Sequence, residues 1–345
     1  MEKKIELLLS SSPFLKQQED TPAVMRQVIY SLLPAAAGAL WFFGISALLI
    51  MLTAMLFALL TEGVYNKLTG RANTLRDGSA LLTGLLLAMT LPPGIPLWMV
   101  ALGTFFAIAI GKLIFGGLGS NIFNPALVGR AFLQASFPVT LTTWVAPGNG
   151  LSFMQWRSAA FTLPFVREKV AAVSTATPLS MMKFEGQLTP FKALFLGNSA
   201  GSLGETSALL LLLGGIYMAA RHYINWRIPT ALFATVIVTA SALHWLNPET
   251  YAPFWFHLFS GGLMLGALFM ATDPVTSPVT HRGCWLFGAG IGLLVVVIRT
   301  FGGLPEGVMY AILLMNGVSP LLNRIAQPPI YGDPAKFKKN EAHNE

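Results

Sequence analysis

Charge and cysteine are both scarce in this chain. Only 11% of its 345 residues are Asp, Glu, Lys or Arg, where soluble globular proteins carry about 25%. With 54% hydrophobic residues and a mean hydropathy of +0.62, the chain needs lipid around it, and a length-based count of soluble domains does not apply. The single cysteine, Cys284, excludes an intramolecular disulfide framework and a Cys-rich zinc or iron–sulfur site. Lying at the start of an apolar run, it reads as a small buried residue. The five histidines have no paired spacing for a metal or haem. No Gly-Lys-Ser/Thr phosphate loop, GxGxxG pattern, hydrolase triad or zinc motif is present. Residues 1–22 are polar and lack the hydrophobic core of a cleavable signal peptide. The charge that remains is mostly basic, with a net +7. In so apolar a chain that excess marks cytoplasmic loops facing anionic lipid rather than a nucleic-acid surface.

Long hydrophobic runs are what the chain has instead. A spanning helix takes roughly 20 mostly apolar residues, and the apolar run 28–60 is too long for one crossing. Gly38 and Gly44 offer a break, which predicts spans over about 24–42 and 44–65. Two more, about 79–92 and 95–115, flank Pro92-Pro93-Gly94-Ile95-Pro96, a turn no helix continues through. A fifth covers about 124–143. After a polar loop come about 206–221, 228–246, 253–271, 284–300 and 305–323. The expected fold is therefore an all-α integral membrane protein of about ten transmembrane helices.

Its divisions are a cytoplasmic N-terminal segment 1–23, a first half 24–143, an outer loop 144–205, a second half 206–323 and a cytoplasmic tail 324–345. Basic residues set this orientation. Lys67, Arg71, Arg76, Lys112, Arg221, Arg227, Arg282 and Arg324 all fall on the side of the termini, whereas the short outer loops hold at most Arg299. Five spans per half is an odd number, so any structural repeat is inverted. Asp77-Gly78-Ser79-Ala80-Leu81-Leu82 and Glu205-Thr206-Ser207-Ala208-Leu209-Leu210 open the third and sixth spans from opposite sides. Asn124-Pro125 and Asp273-Pro274 are a second matched pair.

Three polar stretches interrupt the hydrophobic pattern. Gly116 to Ala126 contains Asn121, three glycines and Asn124-Pro125, an N-cap followed by a first-turn proline. It reads either as a re-entrant turn whose exposed amides suit a flavin, phosphate or carbonyl, or as glycine-mediated helix packing. Around Asp273, the residues Thr272, Thr276 and Ser277 suit either an ion pathway or an ordinary cytoplasmic turn. Arg130 in the fifth span either snorkels or faces a polar ligand. Glu62, Asp77, Glu205 and Glu306 fall near span ends and read as interfacial. The third stretch is Ser174-Thr175-Ala176-Thr177-Pro178-Leu179-Ser180 in the long loop, a Ser/Thr-rich turn by composition. Trp144, Trp156, Phe161, Phe165 and Phe184 flank that loop, Trp144 as an interface anchor or several of the rings as cover for a planar cofactor.

Gly116 to Ala126, followed after the fifth span by Ser174 to Leu179, resembles the RnfD/NqrB family. Its members are membrane subunits of the ion-translocating ferredoxin:NAD oxidoreductase and, more distantly, the sodium-pumping NADH:quinone oxidoreductase. The resemblance covers nearly the whole chain, and the absence of a long N-terminal extension is closer to the RnfD branch. It implies FMN joined through a phosphoester to the threonine ending a Ser-x-Ala-Thr motif, here Thr177, with Ser174, Thr175 and Ala176 completing the motif. A flavin transferase that uses FAD would install it. Thr175 and Ala171 stand where the family often has Gly and Asp, which makes Thr175 a rival acceptor. Pro178 disfavours helix at Thr177 and keeps it extended and accessible.

The resemblance further implies a non-covalent riboflavin in the membrane subunit, assigned to no residue. Asn121, Asn124 and Asp273 are the candidates for a flavin or ion pathway. Implied partners are other membrane and peripheral subunits, including iron–sulfur and second flavin-carrying ones. The implied location is the bacterial inner membrane, with the flavin loop outside. The expected function is a one-electron relay coupled to Na⁺ or H⁺ movement, within a redox-driven translocase inactive as a lone chain. The rival reading from the residues is an inverted-repeat solute channel or secondary transporter without redox chemistry.

Overall fold

The structure, a computed structural model, describes residues 20–72, 74–148, 161–162 and 175–326. Helix α1 (Thr21–Phe43) and α2 (Ile45–Thr69) part at Gly44, whose φ of 62° suits a residue without a side chain. Gly38 does not break the run but packs against Leu210. Then come α3 (Ser79–Met89), α4 (Leu97–Ile108, extended by a π-helical turn Ala109–Leu113), α5 (Pro125–Ser136) and α6 (Pro138–Thr142). The long loop contributes α7 (Pro178–Ser180, extended by a π-turn Met181–Glu185) and α8 (Phe191–Leu196). The second half is α9 (Ala208–Ala220), α10 (Arg227–Leu246), α11 (Phe254–Phe259), α12 (Leu263–Leu265, extended by a π-turn Gly266–Met270), α13 (His281–Phe301) and α14 (Val308–Ile325).

Five helices among the described residues are long and apolar enough to cross a membrane: α1, α2, α10, α13 and α14. The remaining expected spans are short or broken. At 1.5 Å per residue, α3 is about 16 Å long, half of a hydrocarbon core about 30 Å thick. Phe137-Pro138 divides α5 from α6, and Ser260 to Gly262 divides α11 from α12. Continuous apolar sequence concealed these breaks, because the residues at them are themselves small or apolar.

The exterior is apolar, with Leu56, Ile216, Val238, Leu293 and Leu321 all exposed, as a lipid-facing surface requires. Inside, small residues let helices approach closely. On α13, Gly288 and Gly292 lie against the Ile228 and Leu232 carbonyls of α10, where any side chain would collide with backbone. The ends of the short helices meet one another. Leu203 donates its N–H to the Leu91 carbonyl (3.1 Å) and Gly204 to that of Met89 (2.7 Å), so the chain ahead of α9 is paired with the chain leaving α3.

Among the described residues, one ion pair is fully buried. Lys112 Nζ lies 2.7 Å from Glu62 Oε2 and donates to Ser79 Oγ at 2.6 Å. Thr74 donates to the other Glu62 oxygen. Glu62 is thus an interior residue and not an interfacial one. Removing one member of such a pair strands a charge, at a cost of about 3–5 kcal/mol. We expect Lys112→Met to lower the melting temperature of the detergent-solubilised protein, and the double variant Glu62→Gln/Lys112→Met to recover most of that loss.

Candidate functional site

Thr177 ends an extended segment (φ −73°, ψ 158°), as the following proline demands. Its Oγ1 caps the helical stretch 178–185, accepting from Ser180 N at 3.2 Å and lying 2.9 Å from Ser180 Oγ. The side chain is buried, unlike the accessible hydroxyl expected from sequence, and it lines a cavity of about 300 Å³. That volume is at the lower end of the roughly 300–1,000 Å³ typical of small-molecule sites. The walls come from Leu141, Trp144, Leu179, Met309 and Tyr310, and the rim from the exposed Phe184 and Leu304. Its polar side chains include Arg130, Gln134, Glu205 and Glu306.

The rival hydroxyl points elsewhere. Thr175 gives its N–H (3.0 Å) and its Oγ1 (3.4 Å) to the Trp144 carbonyl and does not line the cavity. Ala176 is exposed. Ser174 and Ala171 lie outside the described residues.

Two contacts seat the Thr177 segment. Leu179 packs with Leu194, Ala252 and Phe256. Lys183 Nζ donates to the carbonyls of Arg299 (3.0 Å), Gly302 and Leu304 (3.1 Å), capping the end of α13. Partial burial there lowers the Lys183 ammonium below the usual lysine range.

On the cavity floor, Arg130 donates to the Thr90 carbonyl, so it faces inward instead of snorkelling. Arg299 pairs with Glu306 at 3.3 Å and donates to the His257 (2.6 Å) and Ser260 (3.0 Å) carbonyls. Glu205 and Glu306 both border the cavity. The matched motifs at 77–82 and 205–210 were the signal for Glu205, since each sets an acid two residues ahead of a serine that opens a short helix.

A second, smaller cavity of about 80 Å³ brings Asn121, Asn124 and Asp273 together with Ser79, Thr83, Lys112 and Thr272. Asn124 caps α5, accepting from Ala126 N (3.1 Å) and Leu127 N (3.4 Å), and donates to the Met270 carbonyl at 3.2 Å. Asp273 accepts from Val275 N and Thr276 Oγ1, both at 3.2 Å. Asn121 Oδ1 is buried without a partner, an acceptor open to water or a ligand. Among the described residues no His, Cys, Asp and Glu cluster could hold a metal ion.

Residues 8–332 match the family model described as NQR2, RnfD, RnfE family. The chain belongs to that family. It is 45% identical over 344 residues to the D component of a proton-translocating ferredoxin:NAD(+) oxidoreductase complex of Clostridium ljungdahlii, covering 96% of this chain and 97% of the relative. The D component of the ion-translocating oxidoreductase complex of Stutzerimonas stutzeri is 42% identical over 329 residues, with 91% and 93% covered. Its counterpart from Shigella dysenteriae is 41% identical over 346 residues, with 94% and 98% covered. For this family member the carbonyl clip on Lys183 is the contact that ties the Thr177 segment to α13. In a Cys284→Ala background, a cysteine at the buried Leu179 should react slowly with a maleimide, and Lys183→Met should speed that labelling at least several-fold.

Proposed function

We propose that the chain is the membrane subunit of a redox-driven, ion-translocating ferredoxin:NAD oxidoreductase complex, and that it carries FMN as a phosphoester on Thr177 Oγ1. Full-length similarity to the D components of such complexes supports the assembly. The observation that carries the attachment is the aim of one hydroxyl. Thr177 lines the 300 Å³ cavity while Thr175 is tied to the Trp144 carbonyl.

The residues present fit a flavin. The Leu179 N–H at the start of the 178–185 stretch and the Arg130 guanidinium suit a phosphate's negative charge. Trp144, Phe184 and Tyr310 offer ring faces, and Leu141, Leu179 and Met309 supply apolar walls. Bound there, flavin would supply one-electron transfer, chemistry that belongs to the cofactor and not to the side chains. With one cysteine the chain holds no iron–sulfur ligand set, so other subunits, iron–sulfur and flavin-carrying, exchange electrons with it. A flavin transferase loads it.

The ten-span inverted repeat, with both termini cytoplasmic in the bacterial inner membrane and the Thr177 loop outside, belongs to the same proposal. Its support is the pair of short helices α3 and α9, each opened by an acid-x-Ser-Ala-Leu-Leu motif and joined by the 203–204 to 89–91 backbone pairing. The cavity at Asn121, Asn124 and Asp273 is the candidate flavin or ion pathway element. At about 80 Å³ its present shape suits water or a cation, each water taking about 30 Å³, and a riboflavin ring would require its apolar walls to part.

Produced beside a competent flavin transferase, the denatured wild-type chain should fluoresce under ultraviolet light in a gel. Thr177→Ala should abolish the band and Thr175→Ala should keep it. A dark wild-type band would favour the channel or transporter reading instead. In a Cys284→Ala background, a cysteine at the exposed Ala176 should react with an impermeant maleimide from the outer face only; labelling confined to the cytoplasmic face would reverse the topology.

A further inference from the structure

The two carboxylates at the cavity floor differ in how they are held. Glu306 is fully compensated. Its Oε2 accepts from Gly262 N (3.1 Å), its Oε1 from Gly307 N and Val308 N (both 3.2 Å), and Arg299 Nη2 lies 3.3 Å away. Glu205 accepts one backbone N–H, from Ser202 at 3.3 Å, and forms no ion pair among the described residues. Both approach the same point of the chain. A side chain on Gly262 would meet Glu205 Oε1 at 3.0 Å, and one on Gly261 would strike Glu306 Oε2.

Around this pair, polar atoms are left unmatched. Ser202 Oγ and Ser260 Oγ have no hydrogen-bond partner although the two serines are 0% and 1% exposed. Ser202 is the residue whose N–H holds Glu205, and Ser260 precedes the glycines between the carboxylates. Arg299 Nε and His257 Nδ1 are also buried without a partner. Buried hydroxyls in this state ordinarily bind water or a ligand.

The charged groups facing Glu205 are Arg130 of α5 and Glu306 ahead of α14, with Arg299 of α13 behind Glu306 and donating to the His257 carbonyl of α11. Burial raises the Glu205 carboxyl above the usual carboxylate range, Glu306 adds to that rise, and Arg130, which shares the cavity, opposes it. A unit negative charge added roughly 6–12 Å away, at an effective dielectric near 20, shifts such a protonation equilibrium by roughly 10–100-fold.

We infer that Glu205 is the proton-exchanging group of the Thr177 cavity, taking up a proton when the cavity gains an electron and returning it when the electron leaves. This rests on the attachment proposed above. In the uptake step, a one-electron donor of the iron–sulfur class in another subunit supplies the electron. A proton from water entering at the rim forms an O–H bond on a Glu205 carboxylate oxygen. On reoxidation by the next one-electron acceptor that bond breaks and the proton returns to water. Glu306, with three amides and Arg299, keeps its charge throughout.

The test is reduction-minus-oxidation infrared difference spectroscopy on the intact flavin-loaded complex, with dithionite as reductant. The wild type should gain the carbonyl stretch of a protonated carboxyl on reduction, and the band should move in D₂O. Glu205→Gln, which conserves shape, should lose it, and Glu205→Asp should restore it at a shifted position. In parallel, the pH dependence of the cofactor's midpoint potential should flatten in Glu205→Gln, by up to about 59 mV for each tenfold change in proton concentration. A band that persists in Glu205→Gln, or is missing from a fluorescent wild-type chain, overturns the role of Glu205 alone. A wild-type chain with no covalent fluorescence overturns the attachment reading, and this inference with it.

Discussion

A helix that stops inside an apolar core, as α3 does at the buried Met89, Thr90 and Leu91, leaves carbonyls with no water to bond, and the protein must supply donors for each of them. The core of this structure is an answer to that requirement at the end of α3. The Met89 carbonyl receives Gly204 N, the Leu91 carbonyl receives Leu203 N, and the Thr90 carbonyl between them receives the Arg130 guanidinium. One carbonyl end thereby recruits backbone from ahead of α9 and a side chain from α5. The two halves of the sequence are joined at that place by hydrogen bonds and not only by apolar packing.

The candidate site is built on the same junction. Arg130, having capped α3, faces the Thr177 cavity. Glu205, one residue after the paired Gly204, borders it. The π-turns after α4 and α12 widen helices beside the polar clusters: Lys112 lies in one, and the other ends at Met270, whose carbonyl accepts from Asn124. Such bulges are frequent at functional positions. Here they move a lysine and a carbonyl toward the second cavity within otherwise regular apolar helices.

Much of this was legible beforehand. Length and apolarity located the long helices, Asn124-Pro125 marked the start of α5, and Pro178 marked Thr177 as an extended residue. Each is a local rule of backbone chemistry. What escaped is long-range. Glu62 and Lys112 are 50 positions apart, and nothing in either neighbourhood distinguishes an interior carboxylate from an interfacial one. The same holds for Glu205 and Glu306, and for Lys183 finding carbonyls at the end of α13. Hydropathy also overcounts continuous helix, because Ser260-Gly261-Gly262 breaks the backbone without breaking the apolar pattern.

The burial of Thr177 has a consequence for how such a protein is made. A hydroxyl that caps its own helical turn and faces inward is out of reach of a second protein once Lys183 and Leu179 have seated the segment. For the attachment proposed at Thr177, modification and docking then compete in time.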